Sequence, residues 1–163
     1  MNSSETLRIT VSFPEQRLRL VNGDAILLDV PVSTAGNGPG ERTGSECTPR
    51  GRHVVRAKIG DGAPPGSIFV GRRATGELFN PRLRAQYPDR DWILTRILWL
   101  SGLEPGRNRL GNVDTMRRFI YIHGCPDDVV LGTPGSHGCI RMRNSDVVEL
   151  FRRVPVGTPV LLE

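Results

Sequence analysis

The chain lacks several features that would place it in a common class. It has three cysteines, Cys47, Cys125 and Cys139, and an odd number without regular spacing predicts no disulfide scaffold. No apolar run is long enough to cross a bilayer, so the sequence predicts no membrane span. Lysine is almost absent: among 22 basic residues only Lys58 is a lysine, and the rest are arginines.

The start of the chain also lacks a secretion signal. Residues 1–8 contain no basic segment followed by an apolar one. We therefore expect a cytoplasmic protein if Met1 is the native start, and a periplasmic protein if an export signal has been removed.

The formal net charge of +5 has two interpretations. It reflects either a coding bias expressed on a solvated surface or attraction to an anionic partner. No helix-turn-helix, zinc or aromatic ribonucleoprotein pattern accompanies the charge, so we expect no nucleic acid partner. A peptide rich in carboxylates fits the charge better.

Length and turn content predict one domain over residues 1–163. The 19 glycines and 13 prolines are scattered, as in a chain of short strands joined by turns. Alternation of apolar and polar residues predicts an opening hairpin with Asn22-Gly23 at its turn. The predicted strands are 7–13, 17–21, 25–30, 52–57, 67–70, 119–122 and 158–162.

Two further segments carry apolar patterns. The run 92–100 could be a buried helix or a strand, and its β-branched and aromatic residues favour a strand. Residues 144–154 predict a helix, with Asn144 or Ser145 as its cap and Pro155 ending it.

The most informative stretch is Gly135–Met142, with the sequence GSHGCIRM. Cys139 is a candidate nucleophile, and His123, at the end of an apolar run, is a candidate base. Because the thiolate is the reactive form, the histidine must lie close enough to lower the thiol pKa and take its proton. Gly138 allows a tight bend in which the N–H groups of Gly138 and Cys139 could stabilise an oxyanion.

These residues resemble those of the L,D-transpeptidase catalytic domain, the YkuD or ErfK/YbiS family. The resemblance rests on SHGC, an upstream Ile-His-Gly and a downstream arginine, and it extends to Val32–Ala35 and the Thr-Pro-x-Gly turn at Thr48–Gly51. It implies a mainly β fold, a sandwich of mixed sheets with one helix after Cys139 and arginine-rich loops around a cleft. Residues 71–91 are expected to cover or line that cleft, their arginines binding a substrate carboxylate or facing solvent.

The resemblance also implies roles for site residues. It gives Cys139 and His123 the chemistry, with Gly138, Ser136 and His137 supporting them in the catalytic loop. Substrate binding is expected from Arg141, Gly124 and Tyr121, although Arg141 could instead hold a local carbonyl. The backbone carbonyl of Gly124 is the expected orienter of His123, with Asp127 and Asp128 as alternatives. The family uses no cofactor and no metal.

Cys125 has no assigned role. It is either a bystander or a thiol that pairs with Cys139 under oxidation. Zinc ligation by Cys125, Cys139, His123 and His137 matches no common spacing.

The implied reaction is acyl transfer on peptidoglycan tetrapeptides. Cys139 attacks the diaminopimelate carbonyl, D-alanine leaves, and water resolves the thioester, as in an L,D-carboxypeptidase of murein recycling. Resolution by an amine, as in an L,D-transpeptidase, is the alternative, and carbapenem-type β-lactams are implied inhibitors. A different class, a non-catalytic domain that binds anions through its arginines, predicts a steep salt dependence and no special thiol reactivity.

Overall fold

The computed structural model describes residues 7–163, and ten strands dominate it. The first three form an antiparallel meander, β1 (Leu7–Ser12), β2 (Arg17–Asn22) and β3 (Ala25–Pro31). Asn22 pairs with Ala25, so the hairpin loop is Gly23-Asp24, one residue later than predicted. Gly23 adopts a φ of 59°, which suits a glycine in a two-residue turn.

The meander and the other seven strands form one mixed sheet, as predicted. Its main path runs β3-β2-β1-β10-β4-β7-β5-β6. The bounds are β4 (Gly51–Ile59), β5 (Ser67–Val70), β6 (Arg73–Leu78), β7 (Ile93–Gly102), β8 (Tyr121–Gly124), β9 (Ile140–Met142) and β10 (Pro159–Leu162).

β7 confirms the prediction that the apolar run 92–100 is a strand. The sheet branches at this strand. β7 pairs with β4 and β5 on the main path and also with β8. β8 then pairs with β9 in parallel. The predicted strand at 119–122 is displaced by two residues, because Phe119 has a φ of 57° and lies in the turn before β8.

The main core lies between the early strands and the β7–β9 branch. Buried Ile9, Leu20, Leu98, Ile122 and Ile140 belong to one cluster with the inner face of the last helix. That face carries Val147, Leu150 and Phe151, as the 3.6-residue period of apolar positions requires. The core therefore packs against β8, which carries His123, and against β9, which begins directly after Cys139.

Residues 7–163 contain two α-helices, α1 (Pro81–Gln86) and α2 (Asn144–Arg153), and a short 3-10 helix at Gly111–Val113. α2 is the predicted helix after Cys139, but the predicted capping is wrong. Arg143 occupies the N-cap position without a side-chain bond, since Asn144 is used elsewhere: its Oδ1 accepts from Thr95 and its Nδ2 donates to the Cys125 carbonyl. α1 was not predicted, because its six residues are too few to show a period.

The segment 71–91 contains β6 and α1 and lies beside the cleft described below. Arg72, Arg84 and Arg90 line cavities, whereas Arg73 and Arg82 are exposed. The expected role of these arginines in binding a substrate carboxylate stays a prediction. Over residues 7–163, none of the helices has the length and apolarity needed to cross a membrane.

Candidate active site

Parallel pairing of β8 with β9 brings the two candidate catalytic residues together. Ile122 pairs with Ile140 and His123 pairs with Arg141, so Cys139 lies at the amino end of β9, beside Tyr121. Tyr121 and His123 are two residues apart on β8 and share one face of the strand. Cys139 packs against the apolar cluster that contains Tyr121.

The Cys139 thiol has two backbone neighbours. The Tyr121 N–H donates to Sγ at 3.3 Å, and the S–H donates to the Phe119 carbonyl at 3.3 Å. Burial, the largest influence, and the negative charge of Asp91 raise the thiol pKa to about 12, against the lowering effects of the Tyr121 N–H and the positive charge of Arg141. In its resting state the cysteine is a thiol. The sequence-based expectation that its surroundings lower the thiol pKa is wrong for this state.

His123 is fully buried and held by one ring nitrogen. Nδ1 lies 2.7 Å from the Gly124 carbonyl oxygen, which fixes Nδ1 as the donor and Nε2 as the acceptor. Nε2 has no hydrogen-bond partner among residues 7–163. Burial lowers the pKa of His123, so the imidazole is neutral, with its basic nitrogen unused.

The orienter of His123 is therefore the Gly124 carbonyl, as expected from the sequence. The two alternatives are engaged elsewhere: Asp127 accepts from Asn144, and Asp128 pairs with Arg84 at 3.2 Å. The thiol proton points to Phe119 in this resting arrangement, and a shift toward Nε2 is needed before transfer. Such tightening on substrate binding is common in enzymes.

Hydrogen bonds to its own backbone shape the catalytic loop. Ser136 Oγ donates to the Cys139 carbonyl at 2.5 Å and accepts from the Gly138 N–H at 3.2 Å. The expected use of the Gly138 N–H in an oxyanion hole is therefore wrong for this conformation. Gly138 has a φ of 138°, where a side chain is disfavoured, and a Cβ there would lie 3.2 Å from Ile120 Cδ1.

Thr48 supports this loop from the other side. Its hydroxyl donates to the Gly138 carbonyl at 2.8 Å and accepts from the Ala35 N–H at 2.9 Å. The Thr34 carbonyl accepts from the N–H groups of Gly135 and Ser136. The two segments that resembled the family outside the catalytic motif thus form the scaffold under it, a role that the sequence analysis did not assign.

Arg141 is held locally. One guanidinium nitrogen forms an ion pair with Asp91 at 3.0 Å, and the other donates to the Gly135 carbonyl at 3.2 Å. Of the two roles that the sequence left open, the bond to a local carbonyl is present. Asp91 was missed, because nothing in its local sequence marks a partner 50 residues away.

Cys139 opens onto a cleft of about 370 Å³. His137, which is exposed, forms part of its wall. Arg72 lies over the Trp99 and Phe119 rings at 4.6 and 5.1 Å and donates to the Tyr121 hydroxyl at 3.3 Å. The cleft is thus lined by aromatic rings and positive charge, which suits a peptide with carboxylates.

Cys125 is separated from the Cys139 thiol. Cys125 is 1% exposed, its thiol donates to the Met142 carbonyl at 3.3 Å, and burial raises its pKa to about 11. It follows Gly124, which pairs with Met142, whereas Cys139 precedes Ile140. This register separates the two thiols by roughly 13 Å along the strands, too far for a disulfide. The oxidation partnership considered for Cys125 and Cys139 is therefore wrong.

A known protein family matches nearly the whole chain. The family model of the L,D-transpeptidase catalytic domain (YkuD) matches residues 6–162. The chain belongs to the L,D-transpeptidase catalytic domain family. Its membership covers nearly the whole length and includes both β8 and the catalytic loop.

Curated relatives of this family match over shorter stretches. Probable L,D-transpeptidase YbiS of Escherichia coli is 49% identical over 43 residues, which are 26% of this chain and 14% of that protein. Putative L,D-transpeptidase YqjB of Bacillus subtilis is 49% identical over 45 residues, 28% of this chain and 26% of that protein. The aligned stretch therefore spans about a quarter or less of each relative.

Solved structures show the same fold at low identity. An L,D-transpeptidase from Mycobacterium smegmatis superposes with a TM-score of 0.58 at 17% identity, covering 97% of this chain and 58% of that one. L,D-transpeptidase 3 from Mycobacterium tuberculosis, in complex with a faropenem-derived adduct, gives 0.59 at 16% identity and covers 97% and 60%.

Proposed function

We propose that this protein is a cysteine acyltransferase of peptidoglycan stem peptides, with Cys139 as nucleophile and His123 as general base. The observation that carries the proposal is the free Nε2 of a buried, neutral His123, which the Gly124 carbonyl orients on the strand beside Cys139. A buried basic nitrogen without a partner is costly to keep, and proton transfer gives it a use.

The first half-reaction forms a thioester. His123 Nε2 takes the thiol proton as Sγ attacks the carbonyl carbon of the third residue of a tetrapeptide. The bond between that carbon and the nitrogen of the terminal D-alanine then breaks, and the imidazolium returns the proton to the leaving amine. Burial raises the pKa of the resting thiol, so proton transfer to His123 would accompany the attack of Sγ on the substrate.

The second half-reaction needs an acceptor, and we propose water. His123 would take a proton from water, the hydroxide would attack the thioester carbonyl, and Cys139 would recover its proton as the thiolate leaves. The support is in the sequences of residues 99–102 (Trp-Leu-Ser-Gly) and 112–115 (Asn-Val-Asp-Thr), which resemble the carboxypeptidase branch of the family. The amine of a second stem peptide is the alternative acceptor, and it would give a cross-link.

Product analysis by mass spectrometry tests both halves. Purified protein is mixed with a disaccharide-tetrapeptide, with and without an excess of a D-amino acid or a second stem peptide. We expect a tripeptide and free D-alanine, unchanged by added amine, and no product from Cys139→Ala. Exchange or dimer products would show that an amine, and not water, is the acceptor. If the protein turns over none of the stem peptides, the proposal is overturned.

A β-lactam provides a second test, because solved relatives were crystallised with imipenem or with a faropenem-derived adduct. We expect one covalent adduct by intact mass after incubation with a carbapenem, and none on Cys139→Ala. An adduct of equal yield on that variant would place the reactive group elsewhere.

A further inference from the structure

β7 has an irregularity beside the strand of His123. Gly124 pairs with Leu94 on this strand. Its neighbour His123 pairs with Ile97, so two residues of β7, the first of them Thr95, form a bulge between the two pairs. Thr95 is fully buried and has a φ of 75°. β-branched residues rarely adopt this conformation, and such residues persist only where their surroundings hold them.

The polar groups of Thr95 are all held. Its hydroxyl accepts from the Gly66 N–H at 2.9 Å and donates to Asn144 Oδ1 at 2.6 Å. Its carbonyl accepts from the Arg96 guanidinium at 2.7 Å. These contacts hold the bulge in its strained conformation and fix the position of the Asn144 amide.

Asn144 connects the bulge with the segment that follows His123. Because Oδ1 accepts from Thr95, Nδ2 faces the Cys125 carbonyl and donates to it at 3.0 Å. The Cys125 N–H donates to the Met142 carbonyl at 3.1 Å, so the backbone of Cys125 is bonded on both sides. The Gly124 carbonyl belongs to the same planar peptide group as the Cys125 N–H, so its direction is fixed with it.

Gly124 also packs directly against the bulge. A Cβ on this residue would overlap Asn144 Oδ1 and would lie 2.7 Å from the Leu94 carbonyl oxygen and 3.2 Å from Thr95 Cβ. The position therefore requires glycine. Asn144 and Thr95 thus touch the residue whose carbonyl holds His123 Nδ1 at 2.7 Å.

We propose that Asn144 and Thr95 are positioning residues for the general base: they fix the Gly124 carbonyl against His123 Nδ1 and thereby keep Nε2 as the basic nitrogen. The inference rests on the proposed function. Neither residue lines the cleft onto which Cys139 opens, so we expect neither to contact the substrate. If the carbonyl were free to move, the ring proton could shift to Nε2, and that nitrogen could no longer accept the thiol proton.

Two variants test the proposal by kinetics. Asn144→Asp keeps an oxygen for Thr95 and removes the donor to the Cys125 carbonyl, and a carboxylate suits the first turn of α2. Thr95→Val keeps the shape of the side chain and removes the hydroxyl. Each should lower kcat for D-alanine release by roughly 10- to 100-fold, because the base is misplaced, and leave KM within about twofold.

Two further variants serve as controls. Thr95→Ser keeps the hydroxyl and should restore most of the activity that Thr95→Val loses. Thr115→Val also removes a buried hydroxyl beside a histidine, His53, and should leave kcat per folded molecule unchanged. A loss that Thr95→Ser shares with Thr95→Val, or a wild-type kcat in both Thr95→Val and Asn144→Asp, would contradict the inference.

Nuclear magnetic resonance of protein with isotope-labelled histidine tests the positioning without any substrate. The chain has three histidines, and His123→Gln assigns the signals of His123. In wild type at neutral pH, His123 should carry its proton on Nδ1 alone. Asn144→Asp and Thr95→Val should show a mixture of both tautomers, with the signals of His53 unchanged.

This measurement separates failure of the inference from failure of the proposed function. A change in the His123 signals of the two variants supports the positioning role even if wild type turns over no stem peptide. Identical His123 signals in wild type and both variants overturn it, whatever the activity of the protein.

Discussion

Two buried histidines make an instructive comparison. His53 and His123 are both fully buried, and each holds Nδ1 against a backbone carbonyl, Gly51 at 3.0 Å and Gly124 at 2.7 Å. They differ at the other nitrogen. His53 Nε2 is 2.8 Å from the Thr115 hydroxyl, whereas His123 Nε2 has no partner in the described chain. Both ring nitrogens of His53 are hydrogen-bonded, so this ring has a structural role. One ring nitrogen of His123 is left available for proton transfer.

Their surroundings differ in the same sense. Near His53, buried Asn108 donates to the carbonyls of Arg50 and Arg52 and accepts from the Glu104 N–H. A Cβ on Gly102 would meet Asn108 atoms, so this region has no spare space. His123 is instead fully buried on β8, two residues after Tyr121, whose N–H donates to the Cys139 thiol. The region around His53 is thus closely packed, with its polar groups hydrogen-bonded. The candidate active site instead contains a buried polar atom without a hydrogen-bond partner, His123 Nε2.

The largest expected effect comes from removing the base. His123→Gln should lower kcat for D-alanine release about a thousandfold, because general base catalysis contributes roughly 10²- to 10⁴-fold. Its melting temperature should fall, because His123 is fully buried and its Nδ1 donates to the Gly124 carbonyl, so kcat is compared per folded molecule. A variant that keeps a tenth of the activity would show that another group takes the thiol proton.

The second prediction concerns pH and stability. Burial lowers the pKa of His53 from 6.5 to about 4. Between these values the unfolded chain binds a proton that the folded chain does not, so stability is full above pH 6.5 and falls as pH drops toward 4. The loss from this group is about 3 kcal/mol at most.

Urea unfolding at intervals between pH 4 and 7.5 measures this slope. His53→Gln should unfold with a visibly flatter pH dependence. His123 contributes in the same direction, because burial also lowers its pKa, so the His123→Gln protein is the control that retains the His53 part. Equal slopes for wild type and His53→Gln would contradict the assignment.

The third prediction, with a smaller expected effect, concerns the hydrogen bond between Thr115 and His53. Thr115→Val keeps the shape of the side chain and removes the hydroxyl, which leaves His53 Nε2 buried without a partner. The free energy of unfolding should fall by about 1–2 kcal/mol, and kcat per folded molecule should not change. Thr115→Ser is the matched control, since it keeps the hydroxyl. A loss of activity at full stability would instead connect His53 with the site.

The same comparison explains what could be predicted from the sequence. The strands and the catalytic loop could be predicted because they are local sequence patterns. The partner of His123 could also be predicted, because the next residue, Gly124, has no side chain and can offer only its carbonyl. Thr48, Asp91 and Thr115 act on residues 90, 50 and 62 positions away. Local composition cannot indicate such partners. The cap of α2 was wrong for a similar reason, because Thr95 and Cys125, both distant, compete for Asn144.

The smallest effect is expected at Cys125, and it extends the comparison of the two histidines to two cysteines. Cys125, like His53, has its polar atom satisfied and is closed to solvent, whereas Cys139 opens on the cleft. Cys125→Ser should keep the bond to the Met142 carbonyl, change the free energy of unfolding by about 1 kcal/mol or less, and leave kcat/KM within about twofold. Peptide mapping after brief iodoacetamide treatment of the native protein should show Cys125 unlabelled until the chain is unfolded. Loss of activity in this variant, or rapid labelling of Cys125, would mean that the region around Cys125 opens in solution. The presence or absence of hydrogen-bond partners would then no longer distinguish structural residues from residues of the active site.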